Sequence, residues 1–303
     1  MHVLLTGATG YVGGYVLDAL LARGHTVRAL VRSAEGLAPR ENVEVHLGDV
    51  TEAGTFGHAF QGIEAVVHLV GIIEEHPSKG VTFERVHVGG TRNVVDAARA
   101  AGVGRFVHMS ANGARPDGVS AYQTTKWEAE EIVRAAGFEH WTVFRPSTMF
   151  GDPGEDHPEF AKQLWQTLVR PFPVLPVFGD GAYEMQPVHV ASVADAFAQA
   201  VTLEAASGRA YCAAGPERIP YHEVLRRIAH GGGIPSKPTV PVPMALARLG
   251  VNTLGRAGAL PISPAQFEML VEGNTCDPTV FVADFDVPTP AFDGAGLSYL
   301  RKY

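Results

Sequence analysis

The sequence predicts an α/β protein built on a doubly wound parallel sheet, followed by a smaller α/β lobe. Over the first half of the chain, short apolar segments alternate with amphipathic helical segments, the order that gives parallel strands with crossover helices. The alternation stops near Gly151, where the loop GDPGEDHPEF begins. We therefore predict a sheet domain over residues 1–150, with 191–205 packing back on it, and a smaller lobe over 151–303.

The chain opens with the order strand, glycine-rich turn, helix, strand. Gly7, Gly10 and Gly13 follow the apolar segment VLL, and a helical pattern of apolar residues runs from Tyr11 to Arg23. Glycines at this spacing let the backbone approach a pyrophosphate, and the helix N-terminus offers free N–H groups to it. In this context the glycines predict a dinucleotide site.

The residue at the end of the second strand indicates which dinucleotide. Thr26–Val31 is followed by Arg32, where an acidic residue would bind the ribose 2′-hydroxyl of NAD. An arginine instead suits the 2′-phosphate of NADP. NADP(H) is favoured and NAD(H) is the alternative, with Arg28 and Arg40 as candidate additional contacts.

Later strand segments end at chemically useful residues. They are NVEVHLGDV, IEAVVHLVGI, GRFVHMSA and HWTVFRPSTMFG. In a parallel sheet, ligands lie across the carboxyl ends of the strands, so Gly71, Ser110 and Pro146 are expected at one edge.

The hexapeptide AYQTTK lies close behind Ser110. Tyr122 and Lys126 are four residues apart, which on a helix places both on one face. A lysine ammonium beside a phenol favours the ionised phenol, which suits it to proton transfer.

Composition excludes several classes of function. The net charge of −8 argues against a nucleic-acid binder. Thirteen histidines show no metal-ligand spacing, so no metal site is predicted. Two cysteines make a disulfide framework improbable, and no leader or apolar run of about 20 residues stands out, so a cytoplasmic location is expected.

These motifs together resemble the short-chain dehydrogenase/reductase superfamily, in its extended or atypical, epimerase/dehydratase-like branch. The matching segments are TGATGYVG, GDV, VVHLVG, FVHMSA, YQTTK and FRPSTMFG. The blocks GDGAYEMQPVHV and SPAQFEMLVEGN are more specific, and are similar to the group that includes the nucleotide-binding accessory subunit of respiratory complex I and its bacterial relatives. The resemblance covers nearly the whole chain and implies a Rossmann fold with a C-terminal substrate lobe.

The resemblance also implies site residues. Residues implied to bind the cofactor are Gly7, Thr9, Gly10, Tyr11, Val12, Arg32, Asp49, Val50, Leu69, Val70, Gly71, Ser110, Tyr122, Lys126, Pro146, Ser147 and Thr148. The implied catalytic set is Tyr122, Lys126 and Ser110. The chain departs from the family pattern at Asn112, where many relatives place a hydroxyl that binds the substrate oxygen, and Ser120 is a further hydroxyl candidate.

The motifs and the resemblance lead to two main hypotheses for the function of the protein. One is an NADP(H)-dependent oxidoreductase that transfers hydride to or from a carbonyl or quinone-like carbon of a small, hydrophobic substrate, with Tyr122 and Lys126 as the acid/base pair. The other is a weakly active or inactive NADPH-binding assembly or sensor protein like the complex I subunit. A nucleotide-sugar epimerase or dehydratase ranks third.

The mostly apolar stretch 243–272 suggests a peripheral membrane or protein-partner contact as an alternative to internal packing. The sequence predicts no oligomeric state.

Overall fold

The computed structural model describes residues 1–255 and 262–303 of the chain. The chain divides into two compact units. The first comprises Met1–Pro146, Ala191–Cys212 and Thr279–Val287, and the second comprises Ser147–Val190, Ala213–Pro278 and Pro288–Tyr303.

The strands of the described chain are short. They are β1 His2–Thr6, β2 Thr26–Val31, β3 Val43–Leu47, β4 Ala65–His68, β5 Arg105–Met109, β6 His140–Pro146, β7 Met149–Phe150, β8 Leu175–Phe178, β9 Glu184–Met185, β10 Val188–His189, β11 Arg209–Ala213, β12 Ile219–Pro220 and β13 Thr239–Val242.

The α-helices follow the same chain order. They are α1 Tyr11–Ala22, α2 Gly90–Ala100, α3 Ala121–Ala135, α4 Phe160–Leu164, α5 Val190–Ala200, α6 Tyr221–Gly231, α7 Met244–Gly250, α8 Pro264–Glu272 and α9 Thr279–Asp284. Shorter π-helical segments precede α2 (Glu84–Gly89) and follow α4 (Trp165–Val169).

The central sheet has seven strands in the order β11-β6-β5-β4-β1-β2-β3, and the neighbouring strands from β6 to β3 pair in parallel. Strand β1 lies between β2 and β4, so the direction of winding reverses there. The carboxyl ends of strands at such a reversal form a crevice that can accept a ligand. The doubly wound parallel sheet predicted from the sequence is therefore confirmed.

Apolar side chains of the strands explain why the sheet is buried. Leu4, Val66 and Phe106 are all fully buried and share a cluster with α2 residues such as Val94 and Val95. Strands covered on both faces need such nearly continuous apolar runs. The core thereby fixes the strand ends that position the site.

One strand lies outside the lobe in which the sequence predicts it. The segment GRAYCAAG was expected in the smaller lobe, but it forms β11, the edge strand beside β6. Helix α5 belongs almost entirely to the first unit and leads the chain back to the sheet. The segment Thr279–Val287 also belongs to the first unit, and its Asp284 accepts hydrogen bonds from Arg209 and Tyr211.

In its described residues, the second unit contains three two-stranded sheets, β10-β7, β12-β9 and β13-β8, packed with α4 and α6. Its acidic loop is wrapped around a buried ammonium. Lys162 Nζ donates to the carbonyl oxygens of Gly154, Glu155 and His157, and Glu159 caps α4. The loop therefore serves to hold the start of α4.

Neither cysteine is free, since both Cys212 and Cys276 are disulfide-bonded, which corrects the expectation that the chain contains no disulfide. Within residues 1–255 and 262–303, no helix is long and apolar enough to span a bilayer.

Candidate active site and dinucleotide cleft

The glycine-rich turn between β1 and α1 adopts a shape that only glycine allows. Gly7 has φ +77°, a left-handed conformation that disfavours side chains. A Cβ on Gly13 would lie 1.9 Å from the carbonyl oxygen of Gly7. Gly10 caps α1 and has no side chain to place over the helix N-terminus. The turn therefore presents bare backbone at the positive end of the helix dipole.

A cleft of about 400 Å³ opens beside this turn at the carboxyl ends of the strands. Its lining residues come from the carboxyl ends of β1, β2, β3 and β4 and from the segment 79–86 that leads into α2. They are Gly7, Thr9, Gly10, Leu30, Val31, Arg32, Gly48, Asp49, Val50, Thr51, Leu69, Val70, Gly71, Ile72, Lys79, Gly80, Val81, Arg85 and Val86. Nine of the residues expected from the sequence to bind the cofactor are thus brought to one cleft.

The three arginines expected near the adenosine end of the cofactor differ in whether their side chains are free to face the cleft. Arg32 is exposed on the cleft wall. Arg28 instead binds Glu44 and the carbonyl oxygens of Ala59 and Gln61, and Arg40 binds Asp18. Arg32 is therefore the arginine of these three that can reach a ligand in the cleft.

Helix α3 positions the Tyr-Lys pair. It begins after Ser120, whose side chain accepts a hydrogen bond from Gln123 N, so Ser120 acts as the helix cap. Tyr122 is half-buried, and Lys126, one turn later, is 2 % exposed. Lys126 Nζ donates to the carbonyl oxygen of Met109 at 2.9 Å.

The lysine ammonium reaches the wall of the cleft at Gly71. A Cβ on Gly71 would lie 3.0 Å from Lys126 Nζ. Glycine at this strand end therefore keeps the space that the ammonium occupies. This contact links α3 to the dinucleotide cleft.

Burial shifts the pKa values of both side chains of the pair. It lowers the pKa of Lys126 to about 8, although the charge of Glu130 opposes this change. It raises the pKa of Tyr122 to about 12. Near pH 7 the ammonium is therefore charged and the phenol keeps its proton, the state needed for a proton donor.

Ser110 follows the last residue of β5 and is 3 % exposed. Among the described residues, no hydrogen-bond partner satisfies its buried Oγ. A buried hydroxyl without a partner is costly in a folded protein, so such a group is a candidate for binding a ligand. Asn112, two residues later, donates its backbone N–H to Pro146 O.

Three buried histidines lie in the same region and were not predicted as part of a site. They are His68 at the end of β4, His108 in β5 and His87 in the π-helical segment Glu84–Gly89. Burial, together with the charge of Lys126, lowers the pKa of His68 and of His87 to about 3. Each of the three follows an apolar residue in the sequence, a weak signal for burial, and only the fold brings them into the neighbourhood of Lys126.

Not every expected cofactor residue lines the cleft. Tyr11 and Val12 form the first turn of α1, and Pro146 ends β6. Ser147 and Thr148 begin the second unit, where Ser147 Oγ donates to Gln186 O and Thr148 N donates to Asn274 Oδ1. Polar atoms of Ser147 and Thr148 are therefore engaged within that unit.

The cleft residues fit a nicotinamide dinucleotide. The glycine turn leaves room for a pyrophosphate against bare backbone, and the strand ends beyond it form an extended wall. No group of histidine, cysteine, aspartate or glutamate residues in the described chain is arranged to hold a metal ion.

Comparison with known proteins agrees with this geometry. The model of the NAD-dependent epimerase/dehydratase family matches residues 3–214. The chain belongs to this family. The match spans β1 to β11, so it includes the glycine turn and the Tyr-Lys pair. Members of the family are nicotinamide-dependent, which supports a nicotinamide cofactor for this chain.

Relatives within and around the family differ in their activities. The chain is 35% identical over 195 residues to a ceramide reductase from Caulobacter vibrioides, covering 63% of this chain and 58% of the relative. It is 27% identical over 252 residues to the mitochondrial NADH-ubiquinone oxidoreductase 40 kDa subunit from Neurospora crassa, covering 78% of this chain and 63% of the subunit. The second relative confirms the resemblance to the complex I group. The chain thus spans less than two thirds of the length of either relative.

A solved structure shows the same fold. The UDP-glucuronic acid 4-epimerase from Bacillus cereus, in complex with UDP-glucuronic acid and NAD, superposes with a TM-score of 0.75 at 17% identity. The alignment covers 100% of this chain and 98% of the epimerase.

Proposed function

We propose that this protein is an NADP(H)-dependent reductase that acts on a carbonyl or quinone-like carbon of a hydrophobic substrate. The observation that carries the proposal is the buried ammonium of Lys126, held against Gly71 on the cleft wall one helical turn after Tyr122. The likeness to a ceramide reductase supports a hydrophobic substrate.

The residues have distinct roles in this proposal. The bound cofactor would supply the hydride to the carbonyl carbon. Tyr122 would donate its phenolic proton to the carbonyl oxygen, and the charge of Lys126 would stabilise the phenolate that remains. Ser110 Oγ, buried and without a partner among the described residues, would hold the carbonyl oxygen by a hydrogen bond.

Preference for NADP(H) rests on Arg32. Its exposed guanidinium lines the cleft at the end of β2, where the adenosine ribose is expected. A guanidinium forms strong, bidentate hydrogen bonds with a phosphate, whereas it gains little from a 2′-hydroxyl.

The experiment that tests the proposal follows the fluorescence of NADPH while quinones and small or long-chain carbonyl compounds are added. Tyr122→Phe removes the proton donor and should lower turnover about 100-fold or more. Tyr15→Phe, on α1, makes the same chemical change outside the pair and should leave turnover unchanged. Full turnover by Tyr122→Phe would refute the acid role.

A second candidate is an NADPH-binding assembly or sensor protein. The alignment to the complex I subunit, which extends over more of this chain than that to the ceramide reductase, favours it. Tight NADPH binding without oxidation across the substrate panel, together with co-purification on a partner complex, would support this candidate.

A third candidate is a nucleotide-sugar epimerase or dehydratase, which the fold likeness to the UDP-glucuronic acid 4-epimerase supports. It ranks lower because Ser110 lies only twelve residues before Tyr122, a short gap compared with that in such enzymes. Conversion of a UDP-sugar without net oxidation of the cofactor would identify it.

The contact predicted through 243–272 stays a prediction, and with it the membrane-peripheral location. In its described part, Leu246 and Leu249 on α7 are 60% and 61% exposed, which supports a hydrophobic contact there. Residues 256–261 of this stretch, which include Arg256, Leu260 and Pro261, lie outside the described residues.

A further inference from the structure

His87 lies between the cleft wall and the helix that carries the Tyr-Lys pair. It is 1 % exposed and belongs to the π-helical segment Glu84–Gly89, which continues directly into α2. A π-helical turn is rare and often marks a functional position, because it displaces one residue from the regular helical register.

A chain of hydrogen bonds passes through the imidazole. Ile72 N donates to His87 Nε2 at 3.1 Å, and the carbonyl oxygen of Ile72 lies at the same distance from that nitrogen. Nδ1 lies 2.9 Å from Thr125 Oγ1, which itself donates to Ala121 O at 2.6 Å. Because the Thr125 hydroxyl proton is directed to Ala121, we assign the imidazole proton to Nδ1, which leaves Nε2 as the acceptor for Ile72 N–H.

Both residues bridged by His87 adjoin the site. Ile72 follows Gly71 on the cleft wall, and Thr125 precedes Lys126 on α3. A Cβ on Gly71 would lie 3.5 Å from His87 Nε2 and 3.0 Å from Lys126 Nζ. The imidazole and the ammonium therefore flank the same glycine.

The ring of His87 also contacts the phenol of Tyr122. The two rings meet edge to face, with centroids 5.5 Å apart, and Phe83 stacks on His87 and meets Tyr122 edge to face. Edge-to-face contacts restrict where an aromatic ring can lie. Tyr122 is thus held from the side by two rings of the segment that precedes α2.

A neutral imidazole suits this place. Burial is the main cause that lowers the pKa of His87 to about 3, and the charge of Lys126 adds to it. The side chain can therefore donate at one nitrogen and accept at the other without adding a second positive charge near Lys126.

We propose that His87 is a positioning residue, which fixes Tyr122 and Lys126 against the cleft wall by bridging Ile72 to Thr125 and by contacting the phenol ring. The proposal rests on the proposed reductase function, because it assigns His87 to the acid/base pair of that reaction.

The test compares His87→Phe with His87→Asn. Phenylalanine keeps a ring beside Tyr122 and Phe83 but loses both hydrogen bonds, and we expect kcat to fall about 100-fold while the Kd of NADPH changes less than about threefold. Asparagine keeps a donor close to the place of Nδ1 and should recover a substantial part of kcat. His108→Phe is the matched control, since His108 is equally buried, stacks on His68, and has no hydrogen-bond partner among the described residues.

A second readout does not need turnover. Titration of the lysine Nζ groups by ¹⁵N NMR, with Lys126→Arg to assign the signal, reports the surroundings of Lys126 directly. A helix no longer fixed to the cleft wall would admit water, so His87→Phe should move the pKa of Lys126 from about 8 towards 10.5, whereas His108→Phe should not.

The outcomes separate the two proposals. Wild-type kcat and an unchanged Lys126 titration in His87→Phe would overturn the positioning role. If His87→Phe does not fold, His87→Leu, which also loses both hydrogen bonds, takes its place, and a wild-type kcat and Lys126 titration in that variant would likewise overturn the positioning role. If none of the substrates tested leads the wild-type protein to oxidise NADPH, the reductase function fails. The Lys126 titration then still decides whether His87 positions the pair.

Discussion

Gly13 and Gly14 are adjacent in α1 but lie in opposite surroundings. A Cβ on Gly13 would lie 1.9 Å from Gly7 O and 2.9 Å from Ala8 Cα, so the turn and the helix are too close there for any side chain. A Cβ on Gly14 would meet nothing within 4 Å. Gly13 is therefore required for the close contact between the turn and α1, whereas Gly14 only lowers the stability of the helix.

Alanine at the two positions should have opposite effects. Gly13→Ala forces backbone apart and should lower the free energy of unfolding by about 2 kcal/mol and weaken dinucleotide binding strongly. Gly14→Ala should raise the free energy of unfolding by about 0.5–1 kcal/mol and leave binding unchanged. Denaturant unfolding and NADPH titration measure both, and similar effects of the two variants would contradict the close contact.

Helix α3 combines a cap, the Tyr-Lys pair and a buried anchor in one element. Ser120 caps its start, and Glu130, four residues after Lys126, is 0 % exposed. Arg145 binds both carboxylate oxygens of Glu130, at 2.8 and 2.7 Å, and Arg134 adds a third bond at 3.2 Å. The anchor fixes the helix to β6, and its negative charge also raises the pKa of the nearby Lys126.

Replacing this anchor should affect both stability and the acid/base pair. Glu130→Gln removes the charge and should lower the free energy of unfolding by about 2 kcal/mol. Since Glu130 opposes the effect of burial, the pKa of Lys126 should fall further below 8, and the charge of Lys126 should be lost at lower pH. The reductase rate should then decline at lower pH than in the wild-type protein, as measured by a kcat/KM–pH profile.

Glu131→Gln is the control for this change. Glu131 is the next residue of α3, and its half-exposed carboxylate lies 3.4 Å from Arg134 Nε. Exposed pairs of this kind contribute little, so the pH profile and the stability should stay close to those of the wild-type protein. An equal shift of the profile in both variants would contradict the role of the buried anchor.

The protein as a whole carries a net charge of −8, which repels a negatively charged cofactor. Local cations in the cleft must therefore attract it, and Arg32, Lys79 and Arg85 all line the cleft. Arg85 also binds Glu52 and Gly80 O, whereas Arg32 is exposed at the end of β2. A cofactor that binds the folded chain and not the unfolded chain stabilises the folded protein by mass action.

Cofactor-linked stability should accordingly report the role of Arg32. At about 100 times its Kd, NADPH should stabilise the folded protein by about 2.7 kcal/mol and raise Tm. Loss of one charge-assisted contact of about 2 kcal/mol in Arg32→Ala should raise the Kd of NADPH about 30-fold and remove most of that gain at the same concentration. The Tm rise with NADH should be unaffected.

Arg40→Ala serves as the comparison, because Arg40 binds Asp18 and does not line the cleft. It should leave the NADPH-dependent Tm rise intact. If Arg32→Ala reduces the Tm rise with NADPH and with NADH equally, the arginine does not discriminate by the 2′-phosphate.

The sheet and the cleft could both be predicted from the amino-acid sequence. Apolar strands alternating with amphipathic helices leave few topologies, and a glycine turn after β1 can only lie at the carboxyl end of that strand. For that reason Gly7, Arg32, Asp49 and Gly71 could be expected at one edge, and the structure places them around one cleft. The spacing of Tyr122 and Lys126 on α3 was equally local information.

The side chains that surround this pair, by contrast, become known only from the folded chain. His87 reaches α3 from the segment before α2, and Arg145 reaches Glu130 on α3 from β6; no spacing in the sequence encodes these two contacts. Strand β11 likewise joined the central sheet because its pairing with β6 depends on the return of the chain through α5, a long-range event that local patterns do not specify. Periodicity fixes which face of an element is buried, whereas the partners of that face are set by packing between distant parts of the chain.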